Sequence, residues 1–208
     1  MPLLLPVSGG AQETGWTFEL YGGSAYSVPA PLTIRQTGEP DITITARYAT
    51  KPWEGSPYYA YRFGRWSRGK GWELELIHHK LYLENPPPEV QHFELSHGYN
   101  MVSVNRAVQR RGVILRLGAG VVIAYPHGTT VRQRLLPNSG GLFGRGYHLS
   151  GPMAQLAVGK RFVVWKGLFL ALEGKLTGAY ARIPLQSGSA TAPNAAVHGL
   201  LGVGYTIH

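Results

Sequence analysis

The chain has 208 residues, no cysteine, 28 glycines, only 15% charged residues and a formal charge of +9. That length suits one domain, and no run approaches the roughly 18 apolar residues that a membrane-crossing helix needs. The sequence carries no basic helix or nucleic-acid motif, no Walker loop, no dinucleotide fingerprint, no G-x-S-x-G elbow and no H-E-x-x-H pair, so its positive charge points to anionic lipid rather than to nucleic acid.

Residues 1–12, with a short apolar piece followed by small residues up to Ala11, read as the tail of a secretory leader. Residues 13–208 then form a single domain of eight polar/apolar alternating stretches near 15–28, 57–66, 71–84, 91–106, 112–127, 147–163, 167–183 and 195–207. In the third, Leu74 and Leu76 share one face and Glu73 and Glu75 the other. In the seventh, Leu168, Leu170, Leu172, Leu176 and Tyr180 lie opposite Glu173, Lys175 and Thr177. The connections at 67–71, 107–112 and 160–167 are short and basic, whereas 84–91, 128–146 and 184–194 are long and rich in Pro, Gly or Ser. Short turns on one side and long loops on the other predict an all-β, eight-stranded antiparallel transmembrane barrel of the bacterial outer membrane, with both chain ends in the periplasm. Residues 42–48 also read as a strand. We expect them to be the outer part of the second barrel strand, broken by the Pro-rich Lys51–Pro57, with an extra hairpin outside the membrane as the competing account.

Aromatic residues frame the apolar face. Trp66, Trp72, Phe162 and Trp165 fall at the short-turn end, and Tyr59, Tyr82, Tyr99, Tyr125, Tyr147 and Tyr180 toward the long loops, as two headgroup girdles require. The terminal Tyr205-Thr206-Ile207-His208 puts Tyr205 and Ile207 on the lipid face, resembling the aromatic end strand through which the barrel-assembly machinery recognises such proteins. Alternation sends Glu19, Arg62, Glu73, Glu75, Glu94, Asn100, Arg116, Gln155, Glu173 and Lys175 into a lumen too narrow for a pore, where they should pair with one another.

Candidate chemistry lies at the outer rim. His78, His79, Lys80 and Tyr82 face His92, Glu94, His97 and Asn100 across a Pro-rich turn, and neutral imidazoles there, His78, His92 and His97, would suit a divalent transition metal. Isolated rim histidines without a site are the bland alternative. Arg132, Arg134 and Arg145 in the longest loop would bind the phosphates of lipopolysaccharide, with Lys51 and Lys80 adding charge.

The stretches ELELIHHKLYLEN, FELSHGYNMVSVN, AGVVIAYPHG and YHLSGPMAQLAVG, with PWEGSPYYAYRFGRW upstream, resemble the outer-membrane barrel group that includes the lipid A oxidases of rhizobia. The resemblance implies oxidation of the proximal glucosamine of lipid A to 2-aminogluconate, with molecular oxygen as co-substrate. The positions it carries over are His78, Lys80, Tyr82, Glu94, Gly98, Asn100, Pro126, His127, Gly151, Pro152 and Gln155. Where the group commonly has an acidic residue, this chain has His97. On this basis His78, Glu94, His127 and Tyr82 are the expected catalytic residues and Lys80 and Asn100 join the arginines as substrate contacts, around a cleft open to the outer leaflet. Glu75 and His78 cannot share a face of a regular strand, so either a bulge intervenes or His78 faces lipid. Two other readings stand beside the oxidase. One is a structural or adhesive barrel. The other is a lipid A deacylase built on Ser96, Glu94 and a cross-strand His, weakened because the neighbours Ser96 and His97 should point apart.

Overall fold

The computed structural model describes residues 13–126, 128–135, 140–142 and 144–208, which leaves the expected leader remnant (1–12) and His127 outside the described residues. Eight of its strands close a ring: β1 (Gly15–Val28), β5 (Tyr59–Ser67), β6 (Lys70–Leu83), β8 (Glu94–Arg110), β9 (Val113–Ala124), β12 (His148–Trp165), β13 (Leu168–Leu185) and β14 (Gly188–Ile207), the last pairing back onto β1 from Trp16↔Ile207 to Val28↔Ala195. All pairings in the ring are antiparallel. The remaining strands lie at the long-loop end: β2 (Ala30–Gln36), β3 (Ile42–Ala46), β4 (Tyr48–Ala49), β7 (Val90–His92), β10 (Thr130–Val131) and β11 (Arg134–Leu135).

The three short turns share one construction. Arg68-Gly69, Arg111-Gly112 and Lys166-Gly167 each have positive φ at both residues and join strands whose flanking residues pair directly. Two-residue loops of this kind match the right-handed twist of the strands they connect. A basic residue followed by glycine therefore sets the register of each hairpin and also places a cation at the periplasmic surface.

Residues 42–46 do not continue the second barrel strand. β1 breaks at Pro29 and runs on as β2, which pairs with the outer end of β14 (Gly188↔Gln36 to Thr191↔Thr33), and β3 returns along β2. The competing account, an extra hairpin outside the membrane, holds. Only Tyr48 and Ala49, as β4, lie where the outer part of the second strand was expected, against Leu83 and Tyr82 of β6. The segment 184–194, expected as a long loop, is instead the continued hairpin of β13 and β14. Its Pro and Ser content was misleading because this part of the sheet stands clear of the membrane.

The wall alternates as a lipid-facing barrel must. Trp72, Leu74, Leu117, Leu156, Leu172, Leu176 and Leu201 are 53–70% exposed on the outside, while Glu19, Arg62, Glu73, Glu75, Arg116, Glu173 and Lys175 on the inside are 0–3% exposed. With the ring of eight strands closed and apolar side chains outward, the chain crosses the membrane without a helix; among the described residues no helix is long and apolar enough to do so. Four residues face the other way from expectation. Trp66 points inward and is fully buried, with the Arg161 guanidinium 4.8 Å from its ring. Tyr99 also points inward, donating to the Ala192 carbonyl. Glu94 and Asn100 face outward, with the parity of the exposed Val104 and opposite to the inward Ser103 and Asn105 of β8.

Inside, four carboxylates (Glu19, Glu73, Glu75 and Glu173) meet four cations (Arg62, Arg116, Arg161 and Lys175). Arg62 lies 2.7 Å from Glu173 and 2.9 Å from Glu75, Arg116 2.8 Å from Glu73 and 2.9 Å from Glu173, and Arg161 2.7 Å from Glu19, while Lys175 pairs with Glu75. Gln155 and Asn105 each donate to Glu75 at 2.7 Å. Charges without water are tolerable only when paired and hydrogen-bonded, and this set balances. Above it sit His79, His198, Tyr58 and Thr177, and above those an apolar core of Leu32, Ile34, Ile42, Leu81, Phe93, Leu95 and Ile183 closes the long-loop end. Ionic below and apolar above, the interior is filled. This is a small β-barrel of the bacterial outer membrane.

Candidate functional site

Of the carried-over residues, His78, Lys80, Tyr82, Glu94, Gly98 and Asn100 meet on the outside of the wall. β6 keeps strict alternation to its end, so Glu73, Glu75, Ile77, His79 and Leu81 turn inward and His78, Lys80 and Tyr82 outward. The expected bulge does not lie between Glu75 and His78. It lies one step higher and in the facing strand: His79 pairs with Tyr99 and Leu81 with Leu95, so Ser96, His97 and Gly98 of β8 stand opposite Lys80 alone. Gly98 makes this possible with φ +128°, where a Cβ would run into the Asn100 amide. Two inserted residues leave the parity of β8 unchanged, so Glu94 and Asn100 stay on the outer face with His78 and Tyr82, and the bulge brings Glu94 opposite Tyr82.

His78 Nδ1 lies 2.7 Å from Asn100 Oδ1, and its ring stacks on Tyr59 with centroids 4.8 Å apart and 10° between planes. An amide oxygen accepts, so Nδ1 carries the proton and Nε2 keeps a lone pair; that nitrogen has no hydrogen bond of normal geometry. Ser96 Oγ donates to Glu94 Oε1 at 2.7 Å and lies 3.3 Å from His97 Nδ1. Ser96 and His97 do not point apart, because the bulge removes the alternation on which that expectation rested. His92 Nε2 lies 3.2 Å from the other Glu94 oxygen. Tyr82, paired with β4 above the membrane, has its phenol pushed above the ordinary value by burial and then by the Glu94 and Glu54 carboxylates, so it serves as a neutral donor.

The other expected contacts are placed differently. Lys80 is buried, and its ammonium donates to the carbonyls of Glu54 (2.6 Å) and Ser56 (2.7 Å) in the loop outside the wall. Arg132 donates to Gln36 Oε1 (3.1 Å) and the Pro40 carbonyl (2.7 Å), and Arg134 pairs with Glu39 at 2.8 Å, so both fasten the long loop to the β2–β3 turn. Arg145 is exposed on that loop. His78, His92 and His97 do not meet as a ligand set: among the described residues no three His, Asp or Glu side chains converge in a way that would hold a metal ion. Gln155 lies in the lumen network, remote from this face.

Sequence reasoning missed Arg161, which the parity of Gln155 on the same strand already places inside, because it was grouped with the basic turn that follows. It also left His79 at the rim, although Glu75 four residues earlier fixes it inward. His198, in the lumen between Tyr58 (2.6 Å) and Thr177 (2.8 Å), was overlooked.

No family model and no curated protein matches the chain. Among solved structures it is similar to the outer membrane protein AlkL, determined by solid-state NMR in DMPC bilayers, at 13% identity and a TM-score of 0.49 over 100% of this chain and 97% of that one. Neisserial surface protein A (NspA) gives 10% identity and a TM-score of 0.45 over 93% and 98%. The outer membrane protein OprG from Pseudomonas aeruginosa gives 10% and 0.48 over 94% and 98%.

Proposed function

We propose that this barrel modifies lipid A from the outer leaflet, oxidising the proximal glucosamine to 2-aminogluconate with molecular oxygen. One observation carries the reading: His78, Tyr82, Glu94 and Asn100 share one lipid-side patch, in which the bulge at Ser96–Gly98 draws Glu94 opposite Tyr82. A filled lumen offers no path for solute, so chemistry on a membrane lipid belongs on the outer wall. From Trp72 at the lower girdle to Tyr82 is ten residues, about 33 Å of strand at roughly 3.3 Å per residue and, at a tilt of about 40°, about 25 Å of height, the height of the apolar band. The top of the patch, Tyr82 with Glu94 opposite it, therefore meets the outer headgroups, and His78 and Asn100 lie just below.

Within this reading the Glu94 carboxylate takes the proton of the anomeric hydroxyl, the hydrogen-bonded pair of His78 and Asn100 holds the patch in shape, and Tyr82 donates to a sugar oxygen. The C1–H electron pair and two protons pass to oxygen, which leaves as hydrogen peroxide, and water opens the resulting lactone to the acid. No step is routed through a metal, since the described residues do not form a ligand set for one. The test is lipid A mass spectrometry after expression in a host whose lipid A carries a free anomeric hydroxyl on the proximal glucosamine and is otherwise unmodified. A gain of one oxygen atom that disappears in His78→Ala and Glu94→Gln supports the reading; an unaltered profile with folded barrel overturns it.

A second reading rests on the Ser96 hydroxyl, held between Glu94 and His97. With Glu94 as base, Ser96 would attack an acyl ester of the same lipid. Loss of an acyl chain, abolished by Ser96→Ala, is its signature in the same experiment.

A further inference from the structure

The loop from Lys51 to Pro57 joins β4, which ends against Tyr82, to β5, which begins against His78, so it borders the polar patch, and it carries Trp53, 77% exposed. An indole so far out of any core, on a loop without pinning, would be unremarkable. This loop is pinned at three points. Lys80 holds the carbonyls of Glu54 and Ser56 from beneath, Thr50 Oγ1 donates to the Ala25 carbonyl at one end, and at the other Tyr58 drives its ring into the lumen, 2.6 Å from His198 Nδ1. The Tyr58 backbone N–H also donates to the Pro52 carbonyl at 2.8 Å, closing the loop on itself next to Trp53. Lys51, two residues before Trp53 in the chain, sits 4.8 Å from the Tyr82 ring and 3.1 Å from Glu54, so the same loop sets a cation against the patch. A rigid aromatic face with an adjoining cation, at headgroup depth, fits an anionic sugar: the C–H face of a pyranose lies on the negative π face, and a phosphate lies near the ammonium.

We infer that Trp53 is the platform on which the glucosamine ring of a phosphorylated glycolipid stacks, and that Lys80, by clamping the loop, is the residue that positions it. The inference rests on the reading of the patch as a lipid A site and names its recognition element. It distinguishes a glycolipid from a glycerophospholipid of the same charge, because only the former offers a sugar face.

Purified full-length wild type and the variants Trp53→Ala, Trp53→Phe, Lys80→Met and Lys80→Arg, each checked for the compact barrel, are titrated in detergent with monophosphoryl lipid A and, separately, with phosphatidylglycerol. Trp53→Ala weakens lipid A binding about ten-fold and Trp53→Phe about two-fold, on the scale of a single aromatic stacking contact. Lys80→Met matches Trp53→Ala, Lys80→Arg restores binding, and phosphatidylglycerol binding is the same throughout. Equal losses for both lipids would make Trp53 a membrane-interface anchor and overturn the inference, as would lipid A binding that ignores Trp53. Binding is read without turnover. Trp53-dependent binding with unmodified lipid A would leave the platform standing and remove the oxidase, whereas oxidised lipid A from a Trp53→Ala barrel of wild-type affinity would do the reverse.

Discussion

Two groups of polar side chains occupy the two faces of the same wall, and they are satisfied to different degrees. In the lumen, Arg62 alone touches Glu75 and Glu173 within 3 Å, and the four carboxylates and four cations there leave no net charge. On the outside, His78 is hydrogen-bonded through Nδ1 to Asn100 and its Nε2 is buried, while His92 is half exposed beside Glu94. The difference separates structure from chemistry: charges locked in a balanced, enclosed ion network hold the wall, and a carboxylate and imidazole that reach the surface are open to a substrate.

The largest effect that tests this contrast is expected from Arg62→Met. Removing one member of the buried network strands Glu75 and Glu173 and costs about 3–5 kcal/mol, read as a lower urea midpoint for the purified barrel, while the outer patch keeps its geometry. Adding Glu75→Gln to the same chain recovers part of the loss. In the opposite direction, Glu94→Gln and His78→Ala leave the urea midpoint within about 0.5 kcal/mol of wild type but cut product formation by about 100-fold or more. If those two variants lost stability instead of product, the outer patch would be structural like the lumen. Gly98→Ala sits between: its positive φ and the Asn100 amide in its path cost about 1–3 kcal/mol, and the shift of Asn100 loosens His78, visible as a changed imidazole NMR signal. The smallest effect is Arg132→Ala, which frees the β2–β3 turn for about 1 kcal/mol and speeds amide exchange in Ile42–Ala46 without changing the rest of the ring.

The barrel strands were legible because a lipid-facing wall enforces alternation, and a one-residue slip would put Glu73 in hydrocarbon and Leu74 in the lumen. The same parity argument, applied without exception, would also have placed Trp66, His79 and Arg161 inside. Those three were read through their residue type rather than their position, as a girdle aromatic, a rim ligand and a turn base. The bulge at Ser96–Gly98 was not legible, because a lone glycine in a strand marks many irregularities and nothing local says that two extra residues are inserted. Glu94 and Asn100 needed no bulge to be placed: they share the parity of the outward Val104, opposite to the inward Ser103 and Asn105. The β2–β3 hairpin escaped for a different reason: alternation identifies a strand but not its partner, and Pro29 made one continuing path look like two.

The closing seam has a consequence for how the barrel comes together. β5–β6, β8–β9 and β12–β13 are each joined by two residues and can zip locally, whereas β1 finds β14 only across nearly the whole chain, with Trp16 against Ile207. High contact order makes that pairing the slow one, so the last edge to remain open during insertion is the edge between the two termini.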